Sequence, residues 1–339
     1  MAKKIIFPKD EQRHNSSIEW WYLNGHLQDK NKNNYAYMNC LFKADIKKTK
    51  IPFFEPLPFK EIWFSHSILT DIKKQKFYPE VNYISLISED SFSKPFLFIN
   101  CSSPSIFHYF NSIIEETRKF NYHLKTRFLD LNLISKKNPL LVGGKGFIKL
   151  HSKSTYYYSL TDLKTNGEIV LKDKRIRVKG KSWMDHQWAN VSYSEDKWTW
   201  FSIQLDQGID LLCFKYESEN KKDFLASIIY KNGKQEHTKN LILIPKKTIW
   251  RSKKTGNIYN IEWDIRIPEK DIYLQVKPLI KNQEINFGTI NYWEGPLSVS
   301  GQINNNPVNG KGFLEIVGRP SHYSVDVLKD IFKSIKKFL

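Results

Sequence analysis

The chain has 339 residues, enough for two domains that bury their own cores without disulfide staples. Its formal charge of +18 rests mostly on lysines scattered along the chain; a surface that reads phosphates would use clustered arginine forks, so no nucleic-acid partner is expected. Cys40, Cys101 and Cys213 are odd in number and far apart, which indicates free thiols and neither a disulfide framework nor a structural zinc site.

Aromatic residues make up 14% of the chain against only three methionines, a bias toward the pleated surfaces on which aromatic side chains pack well. The first ten residues hold an apolar run too short for a signal peptide. No window approaches the ~18 apolar residues of a membrane span, so a cytoplasmic location is expected.

In chain order, the first strong feature is Glu19-Trp20-Trp21-Tyr22. In an extended strand it sends Glu19 and Trp21 to one face and Trp20 and Tyr22 to the other. Residues 45–65 carry Pro52, Pro56 and Pro58 among aromatics and read as a long loop or lid. Leu129, Leu131 and Leu133 mark a strand, and Gly143-Gly144-Lys145-Gly146 reads as a strand turn because it lacks the spacing of a phosphate loop. Trp183-Met184-Asp185-His186-Gln187-Trp188 pairs His186 with Trp188 and sends Asp185 the other way. Trp198-Thr199-Trp200-Phe201 follows, then Gln204 and Asp206 on one face. From Tyr259 to Ile267 apolar and polar residues alternate strictly, and Ile272, Leu274 and Val276 repeat the pattern up to Pro278.

Tyr292-Trp293-Glu294-Gly295 is the last tryptophan block. Asn166-Gly167, Asn232-Gly233 and Asn309-Gly310 are hairpin dipeptides. Such punctuation predicts meanders and closed barrels, hence an all-β chain. Val325, Leu328, Ile331, Phe332, Ile335, Phe338 and Leu339 form the apolar face of a basic helix, which docks on a barrel wall or contacts a membrane surface. His26, His66, His108 and His151 read as isolated imidazoles.

A carboxyl group wedged among indoles is costly to ionise, so it holds its proton to higher pH and can act as an acid. Asp185 is the candidate, with His186 as the partner that orients it or activates water. The indoles of Trp183, Trp188 and Trp200 would steady a transient cation. The alternative for Asp185 and His186 is a polar cluster that satisfies backbone groups where two domains meet. No metal is expected, since no second histidine or carboxylate lies at ligand spacing nearby. Glu19, Glu294 and Glu315 read as structural carboxylates paired with Arg319 or Arg251. Trp21, Trp183, Trp188, Trp200, Gln204 and Trp293 are the candidate ligand contacts, although Trp20, Trp21 and Trp293 lean toward core.

EWWYLNGHL from Glu19, YYYSLTDL from Tyr156, GKSWMDHQW from Gly180, WTWFSIQLDQG from Trp198, WRSKKTG from Trp250, YWEGPLSVSG from Tyr292 and GFLEIVGR ending at Arg319 resemble, in order, the signature blocks of the AttH and carotenoid 1,2-hydratase family. They lie closest to its AttH branch. The resemblance implies two lipocalin-like antiparallel β-barrels packed together, here divided as residues 1–180 and 181–320 with a helical tail at 321–339. It also implies an apolar isoprenoid or polyketide ligand. The leading expectation is a cofactor-independent hydratase or lyase acting on an isoprenoid-like substrate. A carrier that binds an apolar pigment or lipid unchanged is the runner-up, and a membrane-surface scaffold built on the basic tail is a third reading.

Overall fold

The computed structural model describes residues 3–49, 60–88, 91, 93–104, 109–151, 153–193, 196–287 and 290–317. The three prolines of the expected lid, His108, Arg319 and the helical tail lie outside the described residues. Among those described, no helix is long and apolar enough to cross a membrane.

The fold is all-β, as expected: two curled antiparallel sheets, each a half-barrel. Among the described residues the first holds 13 strands and the second ten. At the centre of the first, Ile18–Asp29 lies between Asn34–Asp45 and Lys174–Ala189, so the end of this sheet returns alongside its beginning. In the second, Lys197–Leu205 pairs with Asn306–Val317 in the same manner. The boundary expected at residue 180 therefore cuts through the strand Lys174–Ala189, and the chain changes sheet between Ala189 and Lys197.

Three large apolar clusters follow from this layout. Trp21, Leu23, Leu129, Leu131, Leu133, Tyr158, Met184 and Trp188 pack within the first sheet. Phe201, Ile203, Ile261, Trp263, Ile265, Leu274 and Trp293 do so within the second. Tyr22, Met38, Cys40, Tyr157, Trp183, Trp200, Phe214 and Tyr292 form a third layer between the sheets. A strand that faces a core on one side and the other sheet on the other has no wet face. That is why Ile18–Asp29 and Lys174–Ala189 from Ser182 onward carry aromatic runs, while strict alternation survives on Trp263–Ile267 and Ile272–Pro278, where every second residue reaches toward water.

Hairpin chemistry departs from the dipeptide reading. Asn232-Gly233 does turn the chain, with Gly233 at φ 86°. Asn166-Gly167 and Asn309-Gly310 sit inside the strands Lys153–Leu171 and Asn306–Val317. Lys172-Asp173, Glu219-Asn220 and Asn304-Asn305 make the two-residue turns instead, all with φ between 49° and 63°, the left-handed pair that a hairpin matched to strand twist requires. The in-strand glycines answer a different need. A Cβ on Gly167 would meet the carbonyl oxygen of Asp130, and one on Gly310 that of Gln204.

Gly180 is the sharpest case of close approach, since a Cβ there would collide with the carbonyl oxygen of His26 on the neighbouring strand, and backbone cannot swing aside. Gly180→Ala is expected to lower stability by about 1–3 kcal/mol, read as a lower urea midpoint with an unchanged slope. An unshifted midpoint would refute the clash.

Candidate active site

Strand register places polar groups in two rows. Across the first sheet Asp185, Tyr22, Cys40 and His66 stand opposite one another on successive strands. Across the second, Trp200, Glu315 and Glu294 do the same. The rows face each other: the Tyr22 hydroxyl donates to Glu294 Oε1 at 2.8 Å and the Trp200 indole donates to the Tyr157 hydroxyl at 2.9 Å. A cavity of about 210 Å³ lies between them, with Trp20, Phe42, Phe64, Trp198 and Phe214 among its apolar walls.

Asp185 lines this cavity yet is buried. Its Oδ1 accepts the Trp183 indole N–H at 2.6 Å and its Oδ2 the Tyr157 hydroxyl at 2.5 Å. Burial pushes its carboxyl up to about 7 against the opposing pull of these donors. Glu315 rises to about 7 for the same reason, opposed by the indole N–H of Trp198 at 2.9 Å. Glu294 stands directly opposite Glu315, and burial followed by the nearness of that second carboxyl drives it well above the carboxylate range. Among the described residues no lysine or arginine offsets any of the three.

Such a set stores protons in an apolar space. When Asp185 is protonated, it can donate to the Tyr157 oxygen, which leaves the phenol's own hydrogen free to point into the cavity. Tyr157 is thus a built relay between the buried acid and anything bound beside it.

Several expected contacts lie elsewhere. His186 is turned away from Asp185, as alternation requires, and packs in the first sheet's own core. Its Nε2–H donates to Glu19 at 2.9 Å, so it is not the acid's partner. Trp21 and Trp188 pack in that same core and Trp293 in the core of the second sheet. Gln204 donates its amide to the carbonyl oxygens of Thr161 and Ser182, at 2.5 and 3.1 Å, and so ties the sheets together. None of these five lines the cavity. Trp200 does, and Trp183 stands behind Asp185 as its donor. The space is thus between the half-barrels, while each interior is packed.

Of the three glutamates, Glu19 fits the structural reading. It accepts His14 Nδ1–H at 2.7 Å and His186 Nε2–H, with the Lys43 ammonium 3.1 Å away. Burial alone would raise its carboxyl, but these donors outweigh it and hold the group at about 2. Glu294 and Glu315 depart from that reading because they line the cavity and take a phenol and an indole as partners. Arg251 is exposed.

The ground for expecting no metal also fails. His14, Glu19 and His186 bring three ligand atoms within 4.8 Å of one another, with His14 and Glu19 arriving from the distant N-terminal segment. The buried Lys43 ammonium already supplies the cation there. A divalent ion would set a second buried positive charge against it, so the donor set fits an ion-paired hydrogen-bond cluster.

Tyr157 is missing from the sequence reading, and His66, read there as an isolated imidazole, lines the cavity and is bonded to Tyr292. Alternation in the Tyr156-Tyr157-Tyr158 run puts only Tyr157 on the face shared with Asp185, a signal that was there to read; His66 meets its partner Tyr292 only through the packing of the sheets.

Glu19→Gln would leave Lys43 as an uncompensated buried charge, and a loss of about 3–5 kcal/mol is expected. Because the folded carboxyl sits at about 2 against an ordinary value of 4.5, its contribution is present above pH ~4.5 and fades as pH falls toward 2. Chemical denaturation of both proteins at pH 7 and pH 3 tests this: the gap must narrow at pH 3.

The dehydratase asqC of Emericella nidulans is 27% identical over 203 residues, which cover 56% of this chain and 57% of that protein. The kievitone hydratase of Fusarium solani subsp. phaseoli is 23% identical over 199 residues, 56% of each. The chain thus spans little more than half the length of these relatives. Among solved structures, an AttH from Nitrosomonas europaea superposes with a TM-score of 0.73 at 21% identity, covering 94% of this chain and 98% of that one. Kievitone hydratase from Nectria haematococca gives 0.70 at 16% identity, with 93% of each chain covered. The AttH-like family profile matches residues 1–319, and the chain belongs to that family.

Proposed function

We propose that the cavity between the sheets is the active site of an enzyme that adds water to, or removes it from, a carbon–carbon double bond of a largely apolar substrate, isoprenoid in kind. The observation that carries this reading is the gathering of Asp185, Glu294 and Glu315 on one aromatic-walled cavity; Lys197 also lines it, yet no lysine or arginine counts among the groups that pull the three carboxyls down. Burying a carboxyl group without a charged partner costs stability. A carrier needs only the apolar walls, so it gives no reason for three such groups. The two curated relatives are named for the opposite directions of one reaction, a dehydratase and a hydratase.

In the hydration direction the Tyr157 hydroxyl gives its proton to one alkene carbon as Asp185 gives its own proton to the phenol oxygen. The alkene's π electrons form the new C–H bond, and positive charge appears on the other carbon. Indole and phenol faces at Trp200, Trp198 and Tyr22 attract that charge. A water oxygen then closes on the cation, and its surplus proton passes back through Tyr157 to the Asp185 carboxylate. The net change is one water added, and the enzyme ends as it began. Dehydration is the same path reversed. The reaction is redox-neutral, and every proton is handled by a side chain already in the cavity.

The acid must be protonated to start, so hydration should fall as pH rises through about 7, the value to which burial pushes Asp185. Stability shares the sign: a carboxyl raised in the folded state favours folding below its ordinary value of 3.8, and that advantage is lost as pH climbs through about 7. The test is a panel of prenyl-bearing alkenes and their tertiary alcohols, followed by mass spectrometry for gain or loss of one water. Asp185→Asn and Tyr157→Phe should each cost about 10²–10⁴-fold in turnover with ligand affinity kept. Turnover of Asp185→Asn within twofold of the parent, or no exchange of water across the panel, defeats the reading.

A further inference from the structure

The cavity has a second polar end that the proton relay does not use. His66 lines it three strands away from Asp185 in the same row. At about 4.8 Å per strand this is roughly 14 Å. The imidazole sits against the rings of Phe42, Phe64 and Phe287, at 5.0, 5.7 and 4.8 Å between centroids. Its Nδ1 is bonded to the Tyr292 hydroxyl at 2.5 Å, while its Nε2 is buried and has no partner among the described residues. Burial keeps the ring neutral, with its pKa lowered to about 3. A neutral imidazole offers one donor and one acceptor; whichever nitrogen carries the proton, Nε2 is left with a bond to make.

Glu294 repeats the pattern. Two residues from Tyr292 on the same strand, it presents to the same cavity an Oε2 that is buried and likewise unpartnered among the described residues. Phenylalanine at position 66 would keep the ring packing of this box while leaving the Tyr292 hydroxyl without its partner. A buried polar atom left unpaired costs about 1–3 kcal/mol; Glu294 stands beside Tyr22 and feels Asp185, so at this end it is His66 Nε2 that calls for a guest oxygen.

We infer that the substrate is amphiphilic: a hydroxyl or carbonyl oxygen at one end bonds His66 Nε2, while its double bond lies at the far end beside Tyr157 and Asp185. The position of the double bond rests on the proposed hydratase reading; the polar anchor does not. A pure hydrocarbon would fill the walls and leave His66 Nε2 stranded. The anchor therefore sets which compounds enter, and holds one end of the guest so that the other reaches the acid.

Geraniol, an isoprenoid alcohol with its hydroxyl at one end and a trisubstituted alkene at the other, is the probe, paired with the parent diene that lacks the hydroxyl. Trp20, Trp198 and Trp200 line the cavity, so quenching of intrinsic fluorescence reports occupancy. The parent protein is expected to bind geraniol about tenfold or more tightly than the diene, the value of one buried polar group left unpaired. His66→Phe should close that gap by weakening geraniol and sparing the diene. Equal affinities in the parent protein, binding of neither probe, or a gap that survives His66→Phe overturns the inference, and the parent comparison decides by itself if the variant does not fold. A preference for geraniol together with unimpaired turnover by Asp185→Asn would sink the catalytic reading and leave the anchor standing.

Discussion

Extended backbone sends successive side chains to opposite faces, and in this protein several central strands have no solvent face at all. For Ile18–Asp29 and for Lys174–Ala189 from Ser182 onward, the two-residue period alone decides whether a side chain enters a packed core or the space between the sheets. Trp21, His186 and Trp188 fall on one side; Tyr22, Asp185 and Gln187 fall on the other. Tie lines such as Tyr22 to Glu294 and Gln204 to Thr161 then hold the sheets together at that register. A slip of one residue would exchange core for cavity.

Glu19 and Asp185 show how sharply that choice changes chemistry. Both are buried. On the core side Glu19 meets a lysine and two imidazoles and stays ionised at about 2. On the cavity side Asp185 meets only neutral donors, and its carboxyl rises to about 7. Burial is the largest influence in each case; what differs is how far the groups around the carboxyl oppose it, the His14 and His186 rings at Glu19 outweighing burial where the hydroxyl and indole donors at Asp185 do not. The same residue class thus serves as a structural strut on one face and a proton store on the other, a few ångströms away through one sheet.

The sequence was most legible where physics is local. Alternation and aromatic content pointed to all-β architecture, and the strand Ile272–Pro278 ended where its proline said it would. The opposite facing of Asp185 and His186 was equally readable, yet naming His186 as the acid's partner ran against it. What could not be read was the pairing of distant strands: that Glu294 stands opposite Glu315, that His66 shares a row with Asp185, or that His14 folds onto Glu19. Dipeptide rules failed at Gly167 and Gly310 because close approach of neighbouring backbones demands glycine as firmly as a turn does.

The cavity belongs to neither half-barrel, and this separates two kinds of evolutionary pressure. Each interior keeps its own dense packing, so substitutions at Phe42, Phe64, Phe214 or Trp198 can reshape the cavity without touching Trp21 in one core or Trp293 in the other. Small relative sliding of the two sheets would widen or narrow the chamber by the same logic. In an architecture of this kind the cavity can change shape while its scaffold stays intact, with Asp185, Tyr157 and Trp183 held together by a single sheet.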